Sequence, residues 1–244
     1  MTIMTKLIPI TILISVLFFI SACTEDVDSE DIHTSGMYAK MEINASDIDA
    51  SHIKVTLLVG GENSNTYVNL TAGDEIIATL NDSTSQTLTK QKSGGEITYQ
   101  TTFSETDAGN AAKYDISFSR PNETDAPNST VTLPANITQM ALDKTEFSRL
   151  DDSVTLTWDG LNNSKKLTVK INGTCIKEKI DTVTDNGLYT LNAGSLSNLN
   201  QNAQNCAIDF TLSRSASGQL DSNFGEGGEI SADVSNTISI SSTL

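Results

Sequence analysis

Apolar residues recur at every second position in short segments along most of the chain, and turn residues separate these segments. Residues 114–118, 154–158, 167–171 and 208–212 each alternate apolar with polar side chains, and Val55, Leu57 and Val59 recur at the same spacing. A period of two places successive side chains on opposite faces of a strand, so each segment is predicted to be a half-buried β-strand. No segment has a long helical period. The pattern predicts an all-β fold built from antiparallel sandwiches.

Two segments that lie far apart in the chain are similar. Residues 114–120 read YDISFSR and residues 208–214 read IDFTLSR. Earlier in each half the triplet Val-Thr-Leu occurs, at 55–57 and at 154–156, so the matched blocks come in the same order. We expect the arginine that ends each longer block to close the same structural hydrogen bond in both halves. A ligand-binding role for the two arginines is the alternative.

The repeat divides the chain into two units of similar length. We predict two tandem immunoglobulin-like antiparallel β-sandwich domains, at residues 37–134 and 135–244, each of about 100 residues as is usual for this fold. Pro134 marks the boundary because a proline ends a strand. The short connection predicts domains that sit end to end. One large sandwich formed by both halves is the alternative.

The first 23 residues have the pattern of a secretory signal. Lys6 precedes an apolar stretch at 7–20, which is shorter than the roughly 20 residues that span a membrane. Residues 20–23 read Ile-Ser-Ala-Cys, which resembles the lipobox of bacterial lipoproteins. The resemblance implies that the signal is cleaved before Cys23 and that lipidated Cys23 anchors the protein in a membrane. An ordinary signal peptide with a chance cysteine is the alternative.

The residue after the lipobox cysteine carries further information in this class. In enteric relatives Asp at that position favours the inner membrane, and here the residue is Thr24. The resemblance therefore implies an outer-membrane lipoprotein, with either the periplasmic or the outer face left open. Residues 24–36 contain five acidic residues and no Lys or Arg. Such a segment is predicted to be an acidic, disordered tether.

The charge balance limits the classes of partner. The chain carries 31 Asp and Glu against 15 Lys and Arg, a formal net charge of −16. Binding to nucleic acid needs clustered Lys and Arg, so we predict no nucleic-acid partner. The two histidines, His33 and His52, both lie before position 53, which argues against a His-rich metal site and against a Ser-His-Asp hydrolase.

The cysteines give a test of the fold. Once Cys23 serves as the anchor, Cys175 and Cys206 remain, and an even remainder in a secreted chain predicts a disulfide. Strand parity turns both side chains inward, at neighbouring ends of the third and sixth strands of the second domain. Two free buried thiols are the alternative. By the same parity Trp158 points into the core.

The loop at 221–229 is the most distinctive candidate for chemistry. Its oxygen-bearing side chains are spaced so that they could wrap a calcium ion: Asp221, Asn223, Glu226 and Glu229. The first half has only a short turn at the matching place, so the loop reads as an elaboration of the second domain, where function is often found. A flexible polar hairpin without a metal is the alternative. No other cofactor is predicted.

Pairs of carboxylates occur at Asp47 and Asp49, at 74–75 and at 151–152. All three pairs fall in predicted turns, where Asp is favoured for backbone reasons, so no catalytic residue is assigned. The sequence predicts a non-enzymatic, lipid-anchored envelope protein that binds an envelope protein or glycan or acts as a spacer. The alternatives are a hydrolase acting on polysaccharide and an accessory subunit of an envelope assembly or secretion system.

Overall fold

The computed structural model describes residues 25–46, 50–104, 111–161, 165–199 and 205–244, and Cys23 lies outside this part of the chain. The described residues form 18 strands and two short 3-10 turns, at Ser29–Asp31 and Thr34–Gly36. The predicted all-β fold is confirmed. In chain order the strands are β1 Glu25–Asp28, β2 Met37–Ser46, β3 Ala50–Val59, β4 Thr66–Asn69, β5 Glu75–Leu80, β6 Thr84–Thr87, β7 Thr89–Ser93, β8 Glu96–Ser104, β9 Lys113–Ser119, β10 Ala126–Thr132, β11 Ala141–Leu142, β12 Glu146–Ser148, β13 Val154–Thr157, β14 Lys166–Gly173, β15 Lys179–Thr184, β16 Leu188–Leu191, β17 Cys206–Ser217 and β18 Glu229–Thr243.

The first domain is a sandwich of two sheets. One sheet has the order β7-β8-β3-β2, and the facing sheet has the order β10-β9-β5-β6. This is the immunoglobulin strand order. Strands β2, β3, β8 and β7 correspond to A, B, E and D of that fold, and β5, β9 and β10 correspond to C, F and G. The first core contains the buried side chains of Val55 and Leu57 from β3 and of Tyr114, Ile116 and Phe118 from β9, and Val59 packs against it partly buried.

The second domain repeats this arrangement. Strands β11, β13 and β16 form one sheet, and β15, β14, β17 and β18 lie side by side in the other. The two similar sequence blocks lie on β9 and β17, which occupy the same place in the two sandwiches. Trp158 is buried in this second core, as predicted.

Strands β17 and β18 are shared between the two domains. They have 12 and 15 residues, and β18 pairs in parallel with β2 from Glu229 opposite Lys40 to Ser235 opposite Ser46. One 11-stranded sheet therefore passes through both domains. The predicted bounds of 37–134 and 135–244 need a correction, because the hairpin of β17 and β18 supplies Phe224, Ile230, Ala232 and Val234 to the first core.

Residues 25–36 are not a disordered tether. Strand β1 pairs in parallel with β4, and Val27 and Ile32 pack against the first core. Ser29 and Thr34 are buried at the same place. The acidic composition predicts a solvated segment. In the structure, the backbone of this segment pairs with β4 and its apolar residues pack against the first core. Among the described residues, no helix has the length and apolar character needed to cross a membrane.

Arg120 holds this N-terminal segment against the first domain. Its side chain is fully buried, and its Nε donates to Asp74 Oδ2 at 2.9 Å. Its Nη1 donates to the Ile32 carbonyl oxygen at 2.9 Å, and its Nη2 donates to the Ser29 carbonyl oxygen at 2.5 Å. The guanidinium also lies over the Phe118 ring, 5.3 Å from its centroid.

Arg214 plays the matching part in the second domain. Its Nε and Nη2 donate to the two carboxylate oxygens of Asp185 at 2.8 and 3.1 Å. Its Nη1 donates to the Ala135 and Asn136 carbonyl oxygens at 3.1 and 2.7 Å, which fixes the connection between the domains. The indole of Trp158 donates to the same carboxylate at 2.7 Å. Both arginines are structural, but the expectation that they close the same hydrogen bond is wrong, because Asp74 precedes β5 whereas Asp185 lies between β15 and β16.

The Asp185 carboxyl makes stability depend on pH. Burial alone raises its pKa, but hydrogen bonds from Arg214 and Trp158 outweigh burial and hold the pKa below its usual value. A lowered pKa stabilises the fold above the unfolded value of about 3.9, and this contribution is lost as pH falls through the folded value. We expect Asp185→Asn to lower the free energy of unfolding by about 3–5 kcal/mol at pH 7 and to flatten its decline in acid. Urea titrations between pH 2 and 7 measure both effects.

Glu178→Gln is the control for that experiment. Glu178 forms a 2.6 Å ion pair with Lys170 in which both side chains are nearly half exposed. Exposed pairs contribute about 0–1 kcal/mol, so this variant should follow the parent closely. An Asp185→Asn variant with the parent's acid sensitivity would contradict the proposed role of the buried pair.

The shared hairpin predicts that the two domains unfold together. Phe224→Ala removes a ring that stacks on Phe118 in the first core at 5.9 Å, and we expect a loss of about 3 kcal/mol. Trp158 lies in the second core, so its fluorescence reports on the other domain. The urea midpoint measured from Trp158 should fall in the Phe224→Ala variant and change little in Phe224→Leu. A Trp158 midpoint that stays constant while circular dichroism shifts would show independent domains.

Candidate functional site

The two cysteines of the second domain form the predicted disulfide. Cys206 begins β17 and Cys175 follows β14, and their Cα atoms are 5.9 Å apart. The pairing is confirmed. It closes the end of the second domain that lies away from the first, beside the last residues of β18.

The loop at 221–229 is the tip of the β17–β18 hairpin, and it is fastened to the first domain. Asp221 is buried, and its carboxylate accepts backbone N–H groups from Asn128 at 2.7 Å and from Asn223 at 2.8 Å. The Asn223 side chain donates to the Asp125 carbonyl oxygen at 2.7 Å. The loop was predicted to be an elaboration of the second domain, and this is wrong because its contacts are with the first.

The calcium hypothesis gains no support from this geometry. Within the described ranges, no group of three or more His, Cys, Asp or Glu side chains converges as metal ligands would. Asp221 uses both carboxylate oxygens to close its own turn and to hold Asn128, while Glu226 and Glu229 do not join it. The structure gives Asp221 a structural role.

The remaining candidates also have structural or surface roles. Asp74 pairs with Arg120, and Asp152 pairs with Lys144 at 2.6 Å, so each carboxylate balances a neighbouring cation. His33 forms a 3.0 Å contact with Glu123, and this hydrogen bond lowers the pKa of the Glu123 carboxyl. Asp47 and Asp49 lie outside the described residues.

A polar groove of about 660 Å³ lies on the outer face of β5, β9 and β10. Asp115 is at the centre of its floor. Thr79 on β5 and Thr130 on β10 are the direct register partners of Asp115, so a hydroxyl stands on each side of the carboxylate. Neighbouring strands are about 4.8 Å apart, which sets the spacing of this row. Ser117 lies two residues further along β9.

Lys113 and Asp82 form one end of the groove. The Lys113 Nζ lies 2.8 Å from Asp115 Oδ2 and 3.5 Å from Asp82 Oδ1. The hydrogen bond to Asp115 raises the pKa of the Lys113 ammonium, so the group remains charged. The turn that carries Asp82 is tied to β9, because the Asn81 side chain accepts the Lys113 N–H at 2.9 Å. Asn81 and Asp82 both have positive φ, of 49° and 55°, as a tight hairpin turn of this kind requires.

The shared hairpin supplies one wall of the groove. Gln219 and Thr130 exchange two backbone hydrogen bonds, each 2.8 Å long. Asn128 and Pro127 complete the lining beside them. Sequence reasoning missed this groove. Strand parity places Lys113, Asp115 and Ser117 on the outer face of β9, but no local signal brings Gln219 to them.

Exposed apolar side chains are concentrated in the second domain. The large apolar residues that stand strongly exposed in the described part of the chain are Leu150, Leu161, Ile180, Leu188, Leu199 and Leu244. Leu150, Leu199 and Leu244 directly follow three residues that are linked by hydrogen bonds at the far end of that domain: Arg149, Asn198 and Thr243. The Arg149 Nε donates to Asn198 Oδ1 at 3.2 Å, and the Arg149 backbone N–H donates to the Thr243 carbonyl oxygen at 3.0 Å.

Comparisons with known proteins add little to this description. No protein-family model matches the chain, and no curated protein matches it. Among solved structures it is similar to the chicken CNTN1 FN1-FN3 domains, at 10% sequence identity and a TM-score of 0.30, over 87% of this chain and 68% of that one. The assignment of the fold rests on the strand order given above.

The disulfide should make a measurable contribution to stability. It closes a loop with a sequence separation of 31, for which the loop-entropy model predicts about 3–4 kcal/mol. Reduction under native conditions should therefore lower the melting temperature. The Cys175→Ala/Cys206→Ala double variant should have the melting temperature of the reduced parent, and adding reductant should not change that temperature. Identical melting of the oxidised and reduced parent would contradict this expectation.

Proposed function

We propose that the protein is a lipid-anchored cell-envelope protein whose two immunoglobulin-like domains act as one stiff binding module. The observation that carries this proposal is the sheet shared by both domains. β18 pairs with β2 in the first domain and with β17 and β12 in the second. Bending at the connection would break backbone hydrogen bonds on both sides, so the domains move as one body.

The anchor would lie next to the folded part of the chain. The lipobox resemblance at residues 20–23 assigns the acyl chains to Cys23. The backbone N–H of Glu25 already donates to the Asn65 carbonyl oxygen at 3.1 Å. Two residues reach at most about 7 Å, so an anchor at Cys23 would hold the first domain at the membrane surface. Several acyl chains on one residue suffice for stable attachment, whereas a single chain is marginal.

The strand directions determine which domain would face outward. β1, β4, β2 and β18 all run in the same direction. Asp26 pairs with Tyr67, Tyr67 pairs with Leu58, and Leu58 pairs with Tyr38, so Asp26 and Tyr38 lie at the same height in the sheet. β18 begins near this level, at Glu229, and continues away from it for 15 residues, about 50 Å. The second domain would therefore stand farther from the membrane than the first.

The exposed apolar side chains support a binding role for this outer domain. All of those named above belong to the second half, and Leu150, Leu199 and Leu244 flank residues that meet at its far end. Exposed apolar groups concentrated in one region are typical of contact sites for protein partners.

Metabolic labelling with an alkyne-bearing fatty acid tests the anchor. The mature protein should carry the label and sediment with membranes, and Cys23→Ser should lose both properties. Cys175→Ala/Cys206→Ala is the matched control, because it removes the other two cysteines together, leaves the lipobox intact and should stay labelled. Unlabelled parent protein in the soluble fraction would overturn the anchoring proposal.

A further inference from the structure

We propose that the groove on the outer face of β5, β9 and β10 binds a neutral oligosaccharide. This inference goes beyond the proposed function, because the groove lies on the first domain and not among the exposed apolar side chains of the second. It does not depend on the lipid anchor, so the two proposals can fail separately.

The lining of the groove suits a ligand covered with hydroxyl groups. Thr130 offers a hydroxyl, and Asn128 and Gln219 offer amides that donate and accept. The Thr79 hydroxyl lies 2.9 Å from the Ser85 hydroxyl and the Ser117 hydroxyl donates to the Ile77 carbonyl oxygen at 3.5 Å, and each oxygen keeps a lone pair for a ligand hydroxyl. Asp115 offers a carboxylate, which forms stronger hydrogen bonds to hydroxyl donors than a neutral acceptor does. Pro127 is the one apolar residue among the lining side chains, so a lipid tail or an apolar peptide would find little to pack against.

The charges in the groove favour a neutral ligand over an anion. Asp82 and Asp115 carry two negative charges, and Lys113 offsets one of them. The ammonium of Lys113 is already committed to these carboxylates, at 2.8 and 3.5 Å. A phosphate, sulfate or uronate would therefore meet net negative charge, in a chain whose formal charge is −16. A sugar hydroxyl can donate to Asp115 without this repulsion.

The groove is already organised for binding. Its floor consists of side chains on three hydrogen-bonded strands, and both backbone bonds of Gln219 to Thr130 hold the wall in place. Binding to fixed side chains costs less ordering entropy than binding to a loop. A volume of about 660 Å³ is within the range of small-molecule sites.

The geometry favours binding rather than cleavage. Hydrolysis of a glycosidic bond needs two carboxyl groups on opposite sides of that bond, one of which carries a proton. Here the Lys113 ammonium lies between Asp82 and Asp115 and contacts both. The space that the scissile bond would need is occupied by a cation.

The internal repeat provides a matched control residue. Asp209 occupies the place on β17 that Asp115 occupies on β9. Its carboxylate accepts a hydrogen bond from the Ser239 hydroxyl at 2.5 Å. Asp115→Asn and Asp209→Asn thus make the same chemical change at the same point of the two sandwiches.

The test is a glycan array probed with the full chain purified in detergent. The array carries neutral glucans, mannans, galactans and chitooligosaccharides, with sulfated and uronate-containing chains for comparison. We expect binding to at least one neutral chain and none to the charged chains. In titration calorimetry with that neutral chain, Asp115→Asn and Gln219→Ala should each weaken the affinity about tenfold, the loss of one good hydrogen bond.

Asp209→Asn should bind like the parent, and melting curves should show that all variants are folded. Absence of saturable binding to every neutral chain would overturn the proposal, as would preference for a charged chain. Equal losses in Asp115→Asn and Asp209→Asn would also overturn it, because they would place the ligand elsewhere. None of these results bears on labelling at Cys23, which tests the anchor alone.

Discussion

The parallel pairing of β18 with β2 is the constraint on which the rest of the molecule depends. It joins the last strand of the second sandwich to the first strand of the first sandwich over seven register pairs. Without it the two domains would be linked only by the segment around Pro134. With it, the hairpin tip reaches the first core, Phe224 stacks on Phe118, and Gln219 borders the polar groove. The shape of the candidate site is therefore a consequence of how the domains are joined.

Two of the three buried arginines, Arg120 and Arg214, hold irregular segments that lie outside the sheets. Arg120 binds carbonyl oxygens of the N-terminal segment, and Arg214 binds those of the connection between the domains. A planar guanidinium offers five donors in a fixed arrangement, which suits the satisfaction of several carbonyl oxygens at once. The carboxylates of Asp74 and Asp185 balance the buried charges. Each sandwich thus uses one ion pair to order a stretch of chain that has no strand partner.

The local sequence pattern correctly predicted those features that depend on the side-chain alternation within single strands. Alternation predicted the strands, the parity of Cys175 and Cys206 predicted the disulfide, and the repeat predicted the matching arginines. It failed where the partner lay far away in the chain. No local feature of the acidic residues at 25–36 indicates that β1 will form within them and pair with β4. Alternation in β18 does not reveal that half of its length belongs to the other domain, and so the groove wall at Gln219 could not be foreseen.

The long separation between β2 and β18 also bears on how the protein is made. Lys40 and Glu229 are register partners, so about 190 residues must be synthesised between them before they can meet. The first domain is translated first, yet it lacks one strand neighbour and part of its core until the final strand emerges. The last step of folding in the first domain therefore waits for the final strand of the chain, unlike folding that is completed one domain at a time.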